Sequence, residues 1–228
     1  MHFHVITLFQ EVCEAYTNSS ILGRAQKTDK GKGAKVRGKK IEVKYYNPRD
    51  FTKNKHHKVD DRPYGGGPGM VMYAEPILLA WEKAVGRKAK DQKLKTKIKT
   101  LIMSPRGKTF DTKMAKEFAK KYTDIVLISG RYEGIDSRVK KILKAEEISV
   151  GDYVLTGGEL PALSIIDSVS RQVPGVLGTF ESLEEERVSS GEMYTRPEVL
   201  EYKKKKYKVP PVFLSGNRKE IEKHKLQK

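Results

Sequence analysis

Short apolar segments alternate along the chain with segments that place apolar residues three or four positions apart. The segments FHVITLF at 3–9 and DIVLI at 124–128 are almost continuously apolar, as is typical of strands buried on both faces. We predict strands over 3–9, 41–46, 98–103, 124–128 and 146–150. We predict helices over 11–22, 74–85, 111–122, 136–144 and 159–173. This alternation predicts an α/β fold with a parallel sheet covered by helices.

Particular residues add detail to the predicted helices. Gly23 follows the first of them and is expected to end it. Cys13 lies on an apolar face of the same helix, and both Cys13 and Trp81 are expected to be packed in the core. The last predicted helix is expected to bury the apolar residues that it carries at helical spacing, namely Leu160, Leu163, Ile166, Val169 and Val173.

Two loops rich in glycine follow the strands predicted at 124–128 and 146–150. They contain Gly130, Gly134, Gly151, Gly157 and Gly158. Glycine lets the backbone turn sharply and offer its N–H and C=O groups to a ligand. We expect these two strands to be neighbours, and loops at the carboxyl ends of neighbouring parallel strands form ligand sites in α/β sheets. The pattern favours a binding site, although turning the chain would be reason enough for any one of these glycines.

Other connections are too polar or too rich in glycine for regular structure. The segment VDDRPYGGGPGM at 59–70 is expected to be an irregular loop with a function, because loops of this length inside compact domains are usually functional. Residues 24–40 and 87–99 are lysine-rich, and we expect the first of them to be a mobile loop. Residues 179–196 carry a cluster of glutamates and are expected to link two domains.

The charge of the chain favours a polyanionic partner. Its 46 lysines and arginines against 29 acidic residues give a net charge of +17, which is typical of nucleic-acid binding and also of a protein from a lysine-rich proteome. The single cysteine excludes an intrachain disulfide and suits a reducing cytoplasm. The apolar segments are too short to span a membrane, so we expect a cytoplasmic protein without membrane contact.

Three common motifs are excluded by their spacing. Gly107-Lys108-Thr109 ends like a phosphate-binding loop, but Ile102 stands where that loop needs its first glycine. The glycines at 65–69 do not match the dinucleotide-binding pattern, because Met70 occupies its last glycine position. The adjacent His56 and His57 lack further ligands at metal-binding spacing, so we assign no metal-binding residue.

Seven segments, in order over almost the whole chain, resemble one family. They are LFQEV, VDDRPYGGGPGM, SGRYEGID, SVGDYVLTGGELPAL, RQVPGVLG, YTRP and VPPVFLSGN. Together they resemble the bacterial tRNA (guanine-N1) methyltransferases of the TrmD type. The resemblance implies a homodimer of the SPOUT superfamily, whose parallel sheet carries a deep trefoil knot. It also implies methyl transfer from S-adenosyl-L-methionine to N1 of guanine 37 in tRNA, beside the anticodon, and leaves Mg²⁺ assistance open.

The resemblance also implies which residues bind the methyl donor. On the matching motifs these are Ser104, Pro105, Gly130, Glu133, Ser149, Val150, Gly151, Asp152, Tyr153, Val154, Leu155, Gly157, Gly158 and Pro161. Main-chain groups in such loops can recognise an adenine edge without charged side chains.

The resemblance implies an arginine and a carboxylate as the catalytic pair. Arg171 matches the arginine that would stabilise charge on guanine O6. Glu186 stands where the family has the aspartate that removes the N1 proton, so the chain departs from the family pattern at this residue. Glu184 or Glu185 are alternatives for that role, because the segment that follows is shorter than in the family.

The resemblance further implies three regions. These are a knotted methyltransferase domain at 1–175, a linker at 176–197, and a small helical tRNA-contacting domain at 198–228 that ends earlier than in the family. Two other functions stay open: a SPOUT methyltransferase acting on another RNA target, such as a ribose hydroxyl, and a catalytically inactive tRNA-binding protein.

Overall fold

The computed structural model describes residues 1–28, 38–90, 96–177 and 193–226. The chain divides into two compact units, Met1–Val176 and Leu177–Lys228. Within the described residues, no helix is both long enough and apolar enough to cross a membrane.

The first unit is built on a five-stranded parallel sheet with the strand order β2-β1-β6-β5-β7. Its strands are β1 (His2–Ile6), β2 (Glu42–Tyr46), β5 (Ile98–Thr109), β6 (Asp124–Ile128) and β7 (Glu146–Ser149). Two short antiparallel strands, β3 (Asp60–Asp61) and β4 (Val71–Met72), form a separate pair. All five residues of the central strand β6 are buried, as its continuous apolar run predicts.

The strands β6 and β7 are not neighbours, and the prediction that they are adjacent was wrong. Strand β5 lies between them and pairs with both. It also runs through residues 104–107, whereas the strand predicted here ends at Met103. Its pairing with β7 shifts register between Met103 and Lys108, so this stretch is an irregularity within a longer strand.

Seven of the helices in the described residues belong to the first unit and two to the second. They are α1 (Gln10–Thr17), α2 (Ser20–Ala25), α3 (Ala74–Trp81), α4 (Arg87–Lys90), α5 (Thr112–Lys121), α6 (Ser137–Leu143), α7 (Glu159–Arg171), α8 (Pro211–Leu214) and α9 (Arg218–Leu226). A 3₁₀ turn covers Pro48–Phe51, and a π-helical turn at Glu82–Gly86 joins α3 to α4. The helical path therefore reaches Lys90, although the segment from 87 was expected to be a loop.

The single helix predicted over 11–22 is two helices, and Gly23 does not end the first. It lies inside α2, where a Cβ atom would stand 2.2 Å from the carbonyl oxygen of Asn18. The glycine is needed because the chain folds back closely on the end of α1.

Each face of the sheet has its own core, because successive strand residues point to opposite sides. Ile125 and Leu127 of β6 join the core under α1, α5 and α7. Val126 and Ile128 join the core under α3 and α6, which also receives the partly buried Trp81. Cys13 is fully buried as predicted, whereas Leu160, which was expected to point inward, is 57% exposed.

The described part of the second unit contains a β-hairpin as well as helices, whereas only helical structure was predicted there. Strands β8 (Val199–Tyr202) and β9 (Lys205–Lys208) pair in antiparallel fashion. The rings of Tyr194 and His224 both pack on Phe213, with centroids 5.2 and 5.5 Å away.

Candidate active site

A cleft of about 1070 Å³ lies at the carboxyl ends of β6 and β7, beside the irregular stretch of β5, and is large enough for a cofactor-sized ligand. Twelve residues from the predicted donor site line it, namely Ser104, Pro105, Gly130, Glu133, Ser149, Val150, Tyr153, Val154, Leu155, Gly157, Gly158 and Pro161. The predicted residues Gly151 and Asp152 do not line it. The structure therefore brings three separate stretches of the predicted site into one cleft.

The two glycine-rich loops are joined through their main chains. The N–H of Gly158 donates to the carbonyl oxygen of Gly130 at 3.0 Å. A Cβ atom on Gly158 would stand 2.6 Å from Cα of Ser129 and 2.9 Å from N of Gly130, closer than real Cβ contacts. A glycine at 158 is thus a condition for this loop contact.

An ion pair that the sequence analysis missed crosses the same contact. A guanidinium nitrogen of Arg131 lies 2.8 Å from Oε2 of Glu159, and another donates to the carbonyl oxygen of Thr156 at 3.2 Å. The guanidinium also lies over the ring of Phe9, 4.4 Å from its centroid. No group among the described residues makes a well-aligned hydrogen bond to Glu159 Oε2. Attraction to the Arg131 guanidinium is therefore the main interaction that offsets the cost of burying this charged oxygen. Glycine spacing gives no signal for such a pair, which depends on the folded path of both loops.

The carboxylate of Glu159 is also tied to the end of β1. Its Oε1 accepts a hydrogen bond from the hydroxyl of Thr7 at 2.7 Å, and the side chain is only 2% exposed. Glu159 stands in the first turn of α7, where a negative charge is favoured by the helix dipole.

The loop at 59–70 packs against the first glycine-rich loop and contains more regular structure than predicted. Its start, β3, pairs with β4 directly after the loop, which was expected to be irregular throughout. The carbonyl oxygen of Met70 accepts the N–H of Glu133 at 2.9 Å. Gly69 has a φ of +78°, and a Cβ atom there would stand 2.4 Å from Cγ of Glu133. The loop therefore sets where the Glu133 side chain can lie.

Asp61 adds a negative charge to the lining of the cleft. A hydrogen bond from the Tyr73 hydroxyl at 2.6 Å, together with the Arg62 N–H and the Lys58 ammonium, lowers the pKa of Asp61 to about 2. This carboxylate is ionised at neutral pH.

The loop after β7 is shaped by its first residues. The hydroxyl of Ser149 donates to the carbonyl oxygen of Gly151 at 2.8 Å. A Cβ atom on Gly151 would stand 2.2 Å from the ring of Tyr153, so Gly151 makes room for a side chain that does line the cleft.

The predicted catalytic pair is not brought together by the residues that the structure describes. Arg171 is the last residue of α7 and does not line the cleft. Glu186 and its alternatives Glu184 and Glu185 lie outside the described residues, as does most of the predicted linker. Their roles stay predictions.

The fold and the cleft define an α/β protein whose strand-to-helix loops line a ligand-sized cleft. The chain belongs to the family described as tRNA (Guanine-1)-methyltransferase TrmD, whose sequence model matches residues 1–228. This confirms the resemblance stated from the motifs.

Individual relatives agree with this assignment over nearly the whole chain. A tRNA (guanine-N(1)-)-methyltransferase of Clostridioides difficile is 45% identical over 226 residues, which cover 97% of this chain and 89% of the relative. The enzyme of the same name from Pasteurella multocida is 43% identical over 227 residues, covering 98% and 84%. The crystal structure of tRNA (m1G37) methyltransferase from Aquifex aeolicus has a TM-score of 0.75 and 40% identity, covering 100% of this chain and 88% of that one. The parallel α/β architecture therefore matches a solved member of the family.

Proposed function

We propose that this protein transfers a methyl group from S-adenosylmethionine to N1 of guanine 37 in tRNA. Membership of the TrmD family over residues 1–228 carries the proposal. Curated relatives that are 43–45% identical share the guanine-N1 activity in their names, and the Aquifex aeolicus structure names position 37. A different RNA target or a loss of catalysis is disfavoured by the same comparisons.

The cleft fits the methyl donor by the nature of its lining. A side chain at Gly157 or Gly158 would collide with the neighbouring loop. Because both residues are glycines that line the cleft, their main-chain groups can contact a bound ligand directly. The wall is mixed: apolar side chains such as Val150 and Leu155 alternate with polar ones, among them Ser104, Glu133 and Ser149. When bound, S-adenosylmethionine supplies a methyl group on an activated sulfonium, so the protein needs no nucleophile of its own.

The protein's own chemical task is to prepare the guanine. N1 carries a proton at neutral pH, and the carboxylate of Glu186 removes it as general base. The guanidinium of Arg171 stabilises the negative charge that develops on O6. Glu186 is one methylene longer than the family's aspartate, and Glu184 or Glu185 would serve if the linker path favours them. The target guanine leaves its stack to reach this pair, as base-modifying enzymes require.

The proposal includes a homodimer that covers an exposed apolar surface on the first unit. Phe9, Val12, Tyr16 and Leu160 are 38%, 43%, 48% and 57% exposed. The hydroxyl of Tyr16 donates to Asp167 at 2.6 Å, so α1 and α7 present their apolar residues side by side. A patch of this kind is typical of a protein interface. A second copy of the chain would bury it.

The remaining parts of the proposal follow the family. They are a deep trefoil knot within residues 1–175, a linker at 176–197, a tRNA-contacting region at 198–228, and a cytoplasmic location.

Methyl transfer from labelled S-adenosylmethionine tests the function. Unmodified tRNA transcripts with guanine or adenine at position 37 serve as substrates, and the labelled nucleoside is identified after digestion. We expect label only in the guanine transcript, at N1, with strong losses in Arg171→Ala and Glu186→Gln. Glu184→Gln and Glu185→Gln are the matched controls, and a larger loss in one of them would move the base to that residue.

Parallel arms separate the alternatives. Label on a ribose hydroxyl would identify another RNA target, and tRNA binding without transfer would identify an inactive binding protein. Reactions with Mg²⁺ and with EDTA determine the metal requirement. Light scattering of Leu160→Glu tests the dimer, since a charge at a buried interface should shift the protein to monomers.

A further inference from the structure

The β8–β9 hairpin presents aromatic and basic side chains that the proposed reaction does not use. Cross-strand partners point to the same side of a two-stranded ribbon. The pairs Leu200 with Tyr207 and Tyr202 with Lys205 therefore share one side, which we call the tyrosine face. Leu200, Tyr202 and Tyr207 are 54%, 59% and 54% exposed, so this face is open to a partner.

Lysines lie on the tyrosine face and at its tip, since Lys205 shares this face and Lys203 and Lys204 form the turn, while Lys206 and Lys208 point to the other side. Residues 199–208 contain five lysines and one glutamate. Lys203 and Lys204 form the two-residue turn, both with positive φ, at 49° and 63°, as a type I′ hairpin turn requires. The ammonium of Lys203 lies 5.4 Å from the ring centroid of Tyr202, so the basic tip and the aromatic face are continuous.

Exposed tyrosines next to lysines indicate which kind of partner the hairpin can bind. Aromatic rings stack on any exposed base, and lysines attract the phosphates that flank it. A protein partner would also cover exposed tyrosines, but the excess of lysine over acidic side chains favours a polyanion. A nucleic acid with unstacked bases offers both the charge and the ring surfaces.

We propose that the β8–β9 hairpin binds exposed nucleotides of tRNA, with Tyr202 and Tyr207 stacking on bases and the lysines of the turn contacting phosphates. The inference rests on the proposed function for the identity of the RNA. Within the tRNA-contacting region proposed at 198–228, it specifies a surface that acts by stacking as well as by charge.

Equilibrium binding of tRNA to the full-length chain at several salt concentrations tests this surface. Tyr202→Leu with Tyr207→Leu keeps apolar bulk but removes the rings, and we expect affinity to fall about tenfold or more with little change in salt dependence. Tyr202→Phe with Tyr207→Phe keeps the rings and should bind within about twofold of wild type. Lys203→Gln with Lys204→Gln should reduce the slope of log affinity against log salt by about 1 for each lost phosphate contact.

A charge-matched control removes two lysines elsewhere. Lys113→Gln with Lys120→Gln on α5 lowers the net charge equally and should change affinity and salt slope less than the turn variant. The proposal would be overturned if the two lysine double variants changed tRNA affinity and salt slope equally. It would also be overturned if the leucine and phenylalanine variants of Tyr202 and Tyr207 lost the same affinity. A change in oligomeric state with unaltered tRNA affinity would instead assign the hairpin to a second copy of the chain.

Binding is measured apart from methyl transfer, so the two proposals fail separately. A wild-type chain that binds tRNA through the hairpin but transfers no methyl group contradicts only the proposed function. A chain that methylates tRNA while the hairpin variants bind like wild type contradicts only the hairpin. A wild-type chain without affinity for tRNA overturns both.

Discussion

The guanidinium of Arg131 lies 2.8 Å from the buried carboxylate of Glu159, and this pair connects the two loops that enclose the cleft. Arg131 belongs to the loop after β6, and Glu159 opens α7 after the second loop. Through Thr7 the same carboxylate also reaches the end of β1. An ion pair that was not predicted from sequence therefore helps to hold both loops in position, together with the main-chain hydrogen bond between Gly158 and Gly130.

Arg131→Met should destabilise the fold, because it leaves the Glu159 carboxylate buried without its charged partner. Losses of about 3–5 kcal/mol are typical when one member of a buried pair is removed, and the partial exposure of Arg131 places the expected loss near the lower end. Urea unfolding followed by circular dichroism measures it. Arg131→Met with Glu159→Gln should lose clearly less than the sum of the single changes, and additive losses would show that the pair is not coupled.

Gly158→Ala should weaken binding of S-adenosylmethionine, since the new methyl group would meet the main chain at Ser129 and Gly130 and push the two loops apart. We expect affinity to fall at least tenfold and the unfolding free energy to fall by about 1–3 kcal/mol. Gly86→Ala is the control, because its nearest neighbouring atom would be 3.4 Å away. Calorimetric titration of both variants decides the matter, and unchanged affinity in Gly158→Ala would contradict the contact.

The elements with a strong local signal could be predicted from sequence, and the contacts between them could not. Strand β6 occupies the predicted residues 124–128, because a continuous apolar run is enough to define a buried strand. The insertion of β5 between β6 and β7 depends on which strands pair, and no local pattern encodes that choice. The glycine-rich loops indicated a ligand site, but the approach of Gly69 to Glu133 across more than sixty positions appears only in the folded chain.

Asp124 should make stability fall in acid. Burial alone would raise its pKa, but hydrogen bonds from His4 at 2.8 Å, Lys88 at 2.6 Å and Thr123 at 2.8 Å outweigh this effect and hold the pKa below its usual range. A lowered pKa stabilises the fold fully above the unfolded-state value of about 3.9, and this contribution is lost as the pH falls below it.

Unfolding free energies from pH 7 to pH 3 check this prediction. We expect Asp124→Asn to be less stable than wild type at pH 7, and the difference to narrow below about pH 4. Lys88→Gln keeps the carboxyl group but removes one partner, which raises the pKa of Asp124 in the folded state, so its loss of stability in acid should be smaller than that of wild type and should end at a higher pH. If the unfolding free energies of wild type and Asp124→Asn fell in parallel as the pH is lowered, this carboxylate would not contribute to the loss of stability in acid.

Cys13 should be inert in the folded protein. Its thiol is fully buried, and burial, reinforced by the nearby charge of Glu159, raises its pKa to about 12. Only about one thiol in ten thousand would be ionised at pH 8, and the thiolate is the reactive form. Because the chain has a single cysteine, a colorimetric thiol reagent reports on this residue alone. We expect rapid reaction in urea and almost none in buffer, and fast reaction of the native protein would contradict the buried position.

Gly69 and Gly66 form a matched pair for testing Glu133. Their φ angles are +78° and +80°, so an alanine at either position strains the backbone equally, by about 1–2 kcal/mol. Only the alanine at 69 would displace another group, because its Cβ atom would stand 2.4 Å from Cγ of Glu133, while Gly66 has no atom within 4 Å. The Glu133 side chain is exposed and can turn away at little cost, so both variants should lose similar stability.

Their methyl transfer should nevertheless differ. In Gly69→Ala the Glu133 carboxylate leaves its place in the cleft wall, and misplacement of about 1 Å at such a site costs up to about a hundredfold in rate. With tRNA at a fixed concentration, we expect kcat/KM for S-adenosylmethionine to fall at least tenfold in Gly69→Ala and to stay near the wild-type value in Gly66→Ala. Glu133→Gln on its own should show a comparable loss, and adding Gly69→Ala to it should reduce kcat/KM little further, because both changes act on the same carboxylate. Independent, multiplying losses would mean that Gly69 acts through the loop itself and not through Glu133.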